Sequence, residues 1–151
     1  MPSSALRSPN ALVFGLVLTA ALAQLTIEGP GLPPTVASQF DGAGNPSGFM
    51  GKTAFLVLMA SVHLLLAVTM GGAAIWLPRL SDGYINLPNK AYWLAPERRA
   101  ASLRSMSLAL FDMGTLTYGL LIWVTHGVVA VNLGETPRLE GVWWPLGLYL
   151  G

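Results

Sequence analysis

The chain has 151 residues, 53% of them hydrophobic and only 10% charged. A soluble domain carries about 25% charged residues, so this one has too few to cover a water-facing surface and reads as an integral membrane protein. A formal net charge of +1 with no concentrated basic patch argues against nucleic-acid binding. The absence of cysteine excludes disulfides, thiol nucleophiles and Cys-type zinc sites.

In chain order, the first apolar stretch is residues 11–27. It sits at the short end of the roughly 17–25 residues that cross a bilayer as a helix. Arg7, the apolar run and Ala21-Leu22-Ala23 also match a signal peptide with its cleavage site. The run continues through Leu25 and Ile27 without a polar break, which favours a retained helix.

Residues 28–52 follow as an outer loop. Gly29-Pro30-Gly31, Pro33-Pro34 and the stretch Asp41 to Gly48 read as a chain of turns, because glycine supplies positive φ and proline fixes φ. Val36, Ala37 and Phe40 leave room for a short extended piece or a helical turn. Asp41 and Asn45 read as an Asx-type turn, since the spacing and terminal glutamate of a calcium loop are missing.

Residues 53–77 form the second expected span, whose single titratable side chain is His63. Gly71-Gly72-Ala73-Ala74 makes its inner half narrow. The loop 78–104 is too rich in Asn, Pro, Lys and Arg to lie in hydrocarbon. Within it, Pro96 suits a first helical turn and Glu97 complements the helix dipole. A helix beginning there runs through Arg98, Arg99 and Arg104 into the third span, residues 105–131. The apolar tail 142–151 is too short to span. With Trp143, Trp144 and Tyr149 suited to an interface, it is expected at the outer surface or poorly ordered.

Arg7, Arg79, Lys90, Arg98, Arg99 and Arg104 fall on one side of these spans, and Lys52 and Arg138 on the other. The positive-inside rule then places the N-terminus and residues 78–104 in the cytoplasm. The fold class expected is an all-α membrane protein, one domain over 1–151, with three transmembrane helices and an incomplete fourth apolar segment at the C-terminus.

Three Asp or His side chains lie within the spans: His63, Asp112 and His126. Ionisable groups there are expensive and point to function by default. For Asp112 two readings stand: a packed neutral carboxyl, or one paired with Arg79 or Arg104, against part of a proton or ion path. A metal is not expected, because Asp112 and His126 are separated by about 21 Å along one helix. Ser61 and His63 fall on different helix faces, so they make no nucleophile–base pair. Gly15, Thr19 and Ala23, and likewise Thr115 and Gly119, have the small-residue spacing that lets helices approach.

The outer run Leu32-Pro33-Pro34 to Phe40-Asp41-Gly42-Ala43-Gly44-Asn45-Pro46, followed by Lys52, resembles bacterial domain of unknown function 1648. That domain reads LP, a few residues, HF-x-x-x-G and a downstream lysine. Ile85-Asn86-Leu87-Pro88-Asn89-Lys90 and Tyr92-Trp93-Leu94-Ala95-Pro96-Glu97-Arg98-Arg99 look like the cytoplasmic stretch of its small members. The motif residues are therefore Pro33, Phe40, Gly44, Lys52, Leu87, Pro88, Asn89, Pro96 and Glu97. The chain departs from the family at Gln39, where a histidine is usual, and in its incomplete fourth helix. The resemblance implies kinship with the SdpI-type immunity proteins, multispan proteins of self-protection and signalling.

These readings converge on a small, non-enzymatic inner-membrane protein without cofactor or metal, serving interaction, signalling or immunity. Tyr92, Trp93, Arg98 and Arg99 are the candidate surface for a lipid head group or partner, the alternative being a basic hairpin that only anchors two spans. Membrane lipids, another membrane protein or a second copy are the expected partners. The competing function is a small transport or proton-conducting subunit using Asp112, with His63 as relay.

Overall fold

The computed structural model describes residues 6–141 and 143–150, Trp143 by its backbone alone. Val142 and Gly151, the ends of the expected apolar tail, lie outside the described residues. The described chain is mostly helical. Helix α1 covers Pro9–Glu28 and α2 covers Lys52–Leu66. A π-helical segment, Ala67–Gly72, joins α2 to the short α3, Ala73–Trp76. Helices α4 (Lys90–Trp93), α5 (Pro96–Asn132) and α6 (Trp143–Leu150) complete the set.

Three stretches are long and apolar enough to cross a membrane: Pro9–Gly31, Lys52–Arg79 and Pro96–Asn132. Each extends past the apolar run seen in the sequence, because backbone hydrogen bonding continues where hydropathy fades. Helix α5 is the clearest case. Its 37 residues rise about 55 Å, well beyond a hydrocarbon core of about 30 Å. It begins at Pro96, as the missing proline N–H favours.

The loop 28–52 corrects the all-α expectation. Strands β1, Thr35–Phe40, and β2, Pro46–Gly51, form an antiparallel hairpin in place of a run of turns. Thr35 pairs with Gly51 and Val36 with Met50, and the register shifts around Ser38 and again before Phe40. Asp41 to Asn45 makes the hairpin turn, with Gly44 at φ +83°. The strands hold despite Pro46 and the two glycines within β2, Gly48 and Gly51, because Val36 is fully buried against Leu32, Phe55, Val128 and Val129. Burial supplies what strand propensity lacks.

The chain divides into two compact units. One comprises Met1–Leu16 and Leu65–Thr115, the other Val17–Leu64 and Leu116–Gly151. The first holds six Lys/Arg against three Asp/Glu, the second two against four. Each has its own apolar centre: Ile85, Leu94 and Leu103 in the first, the Val36 cluster in the second.

In the first unit the ring of Phe14 packs on Phe111, centroids 5.5 Å apart. A Cβ on Gly71 would come within 2.9 Å of the Phe14 ring, and one on Gly114 within 2.5 Å. The close-approach glycines are therefore Gly71 and Gly114. A Cβ on Gly15 or Gly119, expected from spacing, would meet nothing within 4 Å.

The tail also differs from expectation. Residues of α6 are helical, and the Tyr149 and Thr117 hydroxyls lie 2.6 Å apart. Thr117 is about 22 Å along α5 from Asn132, so the tail turns back beside α5 rather than resting at its end.

Candidate functional site

In the first unit the local chain chemistry builds an aromatic and cationic surface. Pro88 keeps Leu87 extended, and Asn89 takes the left-handed conformation, φ 53°, that asparagine tolerates. Its carbonyl accepts from the Tyr92 N–H at 2.9 Å, which starts α4. Tyr92 and Trp93 then meet edge to face, centroids 5.1 Å apart. The Arg98 guanidinium lies 4.0 Å from the Tyr92 ring centroid, its Nε donates to the Tyr92 carbonyl at 2.9 Å, and Glu97 flanks it at 3.3 Å. Asn89, Lys90, Ala91, Tyr92 and Trp93 line an open depression. Beneath, Leu87 packs on the Ile85–Leu94–Leu103 cluster.

Arg99 stands apart from this surface. Its Nε donates to Asp82 at 2.8 Å and its Nη2 to the Leu80 carbonyl at 2.7 Å. Its visible work is to tie the loop after α3 to the first turn of α5. Arg79 donates to the Ile75 carbonyl at 2.6 Å and lies over Trp76.

Asp112 is exposed on α5 and accepts from the Asn10 carboxamide at 2.6 Å. A contact with a neighbouring helix thus takes the place of the expected pairing with Arg79 or Arg104. The first turn of α1 supplies the partner, because Asn10 lies one turn below Phe14 on the helix that Phe14 packs against α5.

His63 belongs to the second unit and is fully buried. Its Nδ1 lies 2.6 Å from the Met59 carbonyl. A carbonyl only accepts, so Nδ1 carries the hydrogen and Nε2 keeps its lone pair in the neutral ring. Nε2 has no partner among the described residues. Tyr118 stacks on the imidazole, centroids 5.8 Å apart, and donates its hydroxyl to the His63 carbonyl at 2.7 Å. Ser61 faces elsewhere and donates to Val57.

His126 is exposed and meets Glu28 at 3.3 Å, and Gln24 donates to the other oxygen of that carboxylate at 3.1 Å. The sequence reading missed Gln24 and Glu28, although their spacing of four residues places them on one face of α1.

The motif residues of the loop 28–52 are largely structural. Lys52 Nζ donates to the carbonyls of Pro30 and Leu32, at 2.7 and 3.0 Å, on either side of the turn before Pro33. A Cβ on Gly44 would collide with the Leu139 carbonyl. Phe40 packs on the Val36 cluster, while Gln39 at the family's histidine position lies against Gly48. The Asn45 carboxamide, then the backbone N–H groups of Asn45, Ala43 and Gly44, hold the Asp41 carboxyl below its ordinary range.

No family model, no curated protein and no solved structure matches the chain.

Proposed function

We propose that this chain is a non-enzymatic interaction or signalling component of a bacterial inner membrane, immunity-like in the sense that its motifs resemble. The observation that carries this reading is the Arg98–Tyr92 stack. Anchored to the Tyr92 carbonyl, the guanidinium is held in place before any partner arrives, so little side-chain freedom is lost on binding. Trp93 and Lys90 flank it, giving an aromatic and cationic surface suited to an anionic head group or an acidic partner segment.

The charge difference between the units supports a cytoplasmic N-terminus and a cytoplasmic 78–104 loop. The same loop would then meet the anionic inner leaflet.

The test is pull-down from mild detergent with mass spectrometry, comparing wild type with Arg98→Ala and Tyr92→Ala at equal thermal stability. Loss of one captured partner, or of bound anionic lipid, in both variants is expected. Identical capture by all three would sink the reading.

A second reading, the small transport or proton-conducting subunit, is favoured by the unpartnered Nε2 of the buried His63. It requires Asp112→Asn or His63→Phe to abolish flux in proteoliposomes, with the Arg98 variant unaffected.

A further inference from the structure

We propose a second binding site, beyond the surface argued above, at the Asn132 end of α5, and that it takes a phosphoethanolamine group through its primary ammonium. The local chain builds it. Helix α5 ends in a Schellman motif: Glu135 N–H donates to the Ala130 carbonyl at 2.9 Å and Gly134 N–H to the Val131 carbonyl at 3.1 Å. Gly134 has the φ of +76° that this reversal needs. The chain then folds back over α5, where Leu139 donates its N–H to Gly44 at 2.8 Å. A Cβ on Gly127 would come within 2.7 Å of the Leu139 side chain, so glycine there is what lets the return segment close.

A cavity of about 260 Å³ forms between helix and return segment, lined by Trp123, His126, Gly127, Ala130, Glu135, Thr136 and Glu140. It is smaller than the roughly 300–1,000 Å³ of sites for drug-sized ligands. Its polar lining is rich in acceptors. Glu135 and Glu140 bring carboxylates. His126 lines the cavity beside them, its Nδ1 directed at the Glu28 carboxylate 3.3 Å away. Among the described residues no three His, Asp or Glu side chains converge for a metal ion. Trp123 stands among them as an aromatic wall that favours positive charge.

An ammonium offers three N–H donors to these acceptors, whereas a trimethylammonium offers none. Arg138 supplies the complementary charge. Exposed beside the cavity, it holds the lining Glu140 through Nε at 3.0 Å, which leaves its Nη groups to answer a phosphate next to the ammonium. The cavity lies over the last turns of a helix apolar enough to cross a membrane, the depth at which lipid head groups are found.

The lipid and free sources of this group are separated by one series of measurements. The full chain is placed in nanodiscs containing phosphatidylethanolamine, its N-methyl and N,N-dimethyl forms, and phosphatidylcholine in equal amounts. Lipid retained on extraction is then read by native mass spectrometry. Retention is expected to fall stepwise as N–H donors are lost, by about fivefold or more from first to last. Glu135→Gln and Trp123→Leu should flatten the series at unchanged melting temperature. Displacement of retained lipid by millimolar free phosphoethanolamine supports the site with a soluble source. Resistance to displacement together with the stepwise series supports the lipid. Equal retention across the series, with no effect of free phosphoethanolamine on melting, overturns the proposal without reliance on any variant.

Discussion

The Asn132 carboxamide closes two hydrogen bonds on the backbone of Ala37, accepting from its N–H at 2.7 Å and donating to its carbonyl at 3.0 Å. A single side chain thus does for β1 what a third strand would do, at the residue where the hairpin register shifts. Ala37 is buried, so both backbone groups depend on this partner.

Asn132→Ala should therefore loosen the hairpin. Leaving buried backbone groups unpaired costs about 1–3 kcal/mol. Amide exchange at Ala37 and its neighbours should accelerate while exchange in the first half of α5 stays unchanged. Unaltered protection at Ala37 would show that β1 does not need Asn132.

Gly71 and Gly114 should resist substitution where Gly15 does not. Gly114→Ala pushes a methyl into the Phe14 ring, an overpacking cost of about 1–3 kcal/mol. Gly15→Ala meets open space and should be neutral or mildly stabilising. Melting in detergent checks both, and Phe14→Leu should partly rescue Gly114→Ala if the ring is the obstacle.

Tyr118→Phe removes the hydroxyl that satisfies the His63 carbonyl. Hydrogen bonds of this kind within membrane proteins average about 0.6 kcal/mol and reach about 1.7 kcal/mol. A modest fall in melting temperature is expected, with no change for Tyr84→Phe at an exposed position. A larger loss for Tyr84→Phe would contradict the assignment.

Acid should open the hairpin turn. Asp41 has a folded pKa below its ordinary value of 3.8, so its contribution is complete above that value and lost as pH falls through the lower, folded one. Amide signals of Ala43 and Asn45 should shift only once the pH has fallen below 3.8. Asp41→Asn should remove that pH dependence. Persistence of the transition in the variant would assign it elsewhere.

Orientation is open to single-cysteine labelling, since the chain has no cysteine of its own. In intact cells an impermeant reagent should label Ala43→Cys and not Ala91→Cys, both exposed positions. Ala43 is preferred to Gly44, where any side chain would strike the Leu139 carbonyl. Labelling at position 91 alone would invert the topology.

What the sequence determined by itself was local. Hydropathy placed the three helices that can span, because a helix satisfies its own backbone wherever apolar side chains continue. Pro96 and Glu97 marked the start of α5, and Asp41 with Asn45 marked a turn, since those preferences act within a few residues. The candidate surface at Tyr92, Trp93 and Arg98 was legible for the same reason, its members lying within one loop.

Only the tertiary structure decided the rest. The hairpin was hidden because glycine and Pro46 disguise β2, and its support comes from Asn132, 95 residues from Ala37. Charge offered Arg79 or Arg104 as one possible pairing for Asp112, yet it bonds to the uncharged Asn10, 102 residues away. Small-residue spacing marked Gly15 and Gly119, but in the helices the glycines without room are Gly71 and Gly114, facing Phe14, and Gly127, facing Leu139. The cavity over the end of α5 required the return of Leu139 across Gly127. Spacing along a chain constrains neighbours within a few turns, whereas packing selects partners by shape across the fold, and no periodicity in the sequence encodes that choice.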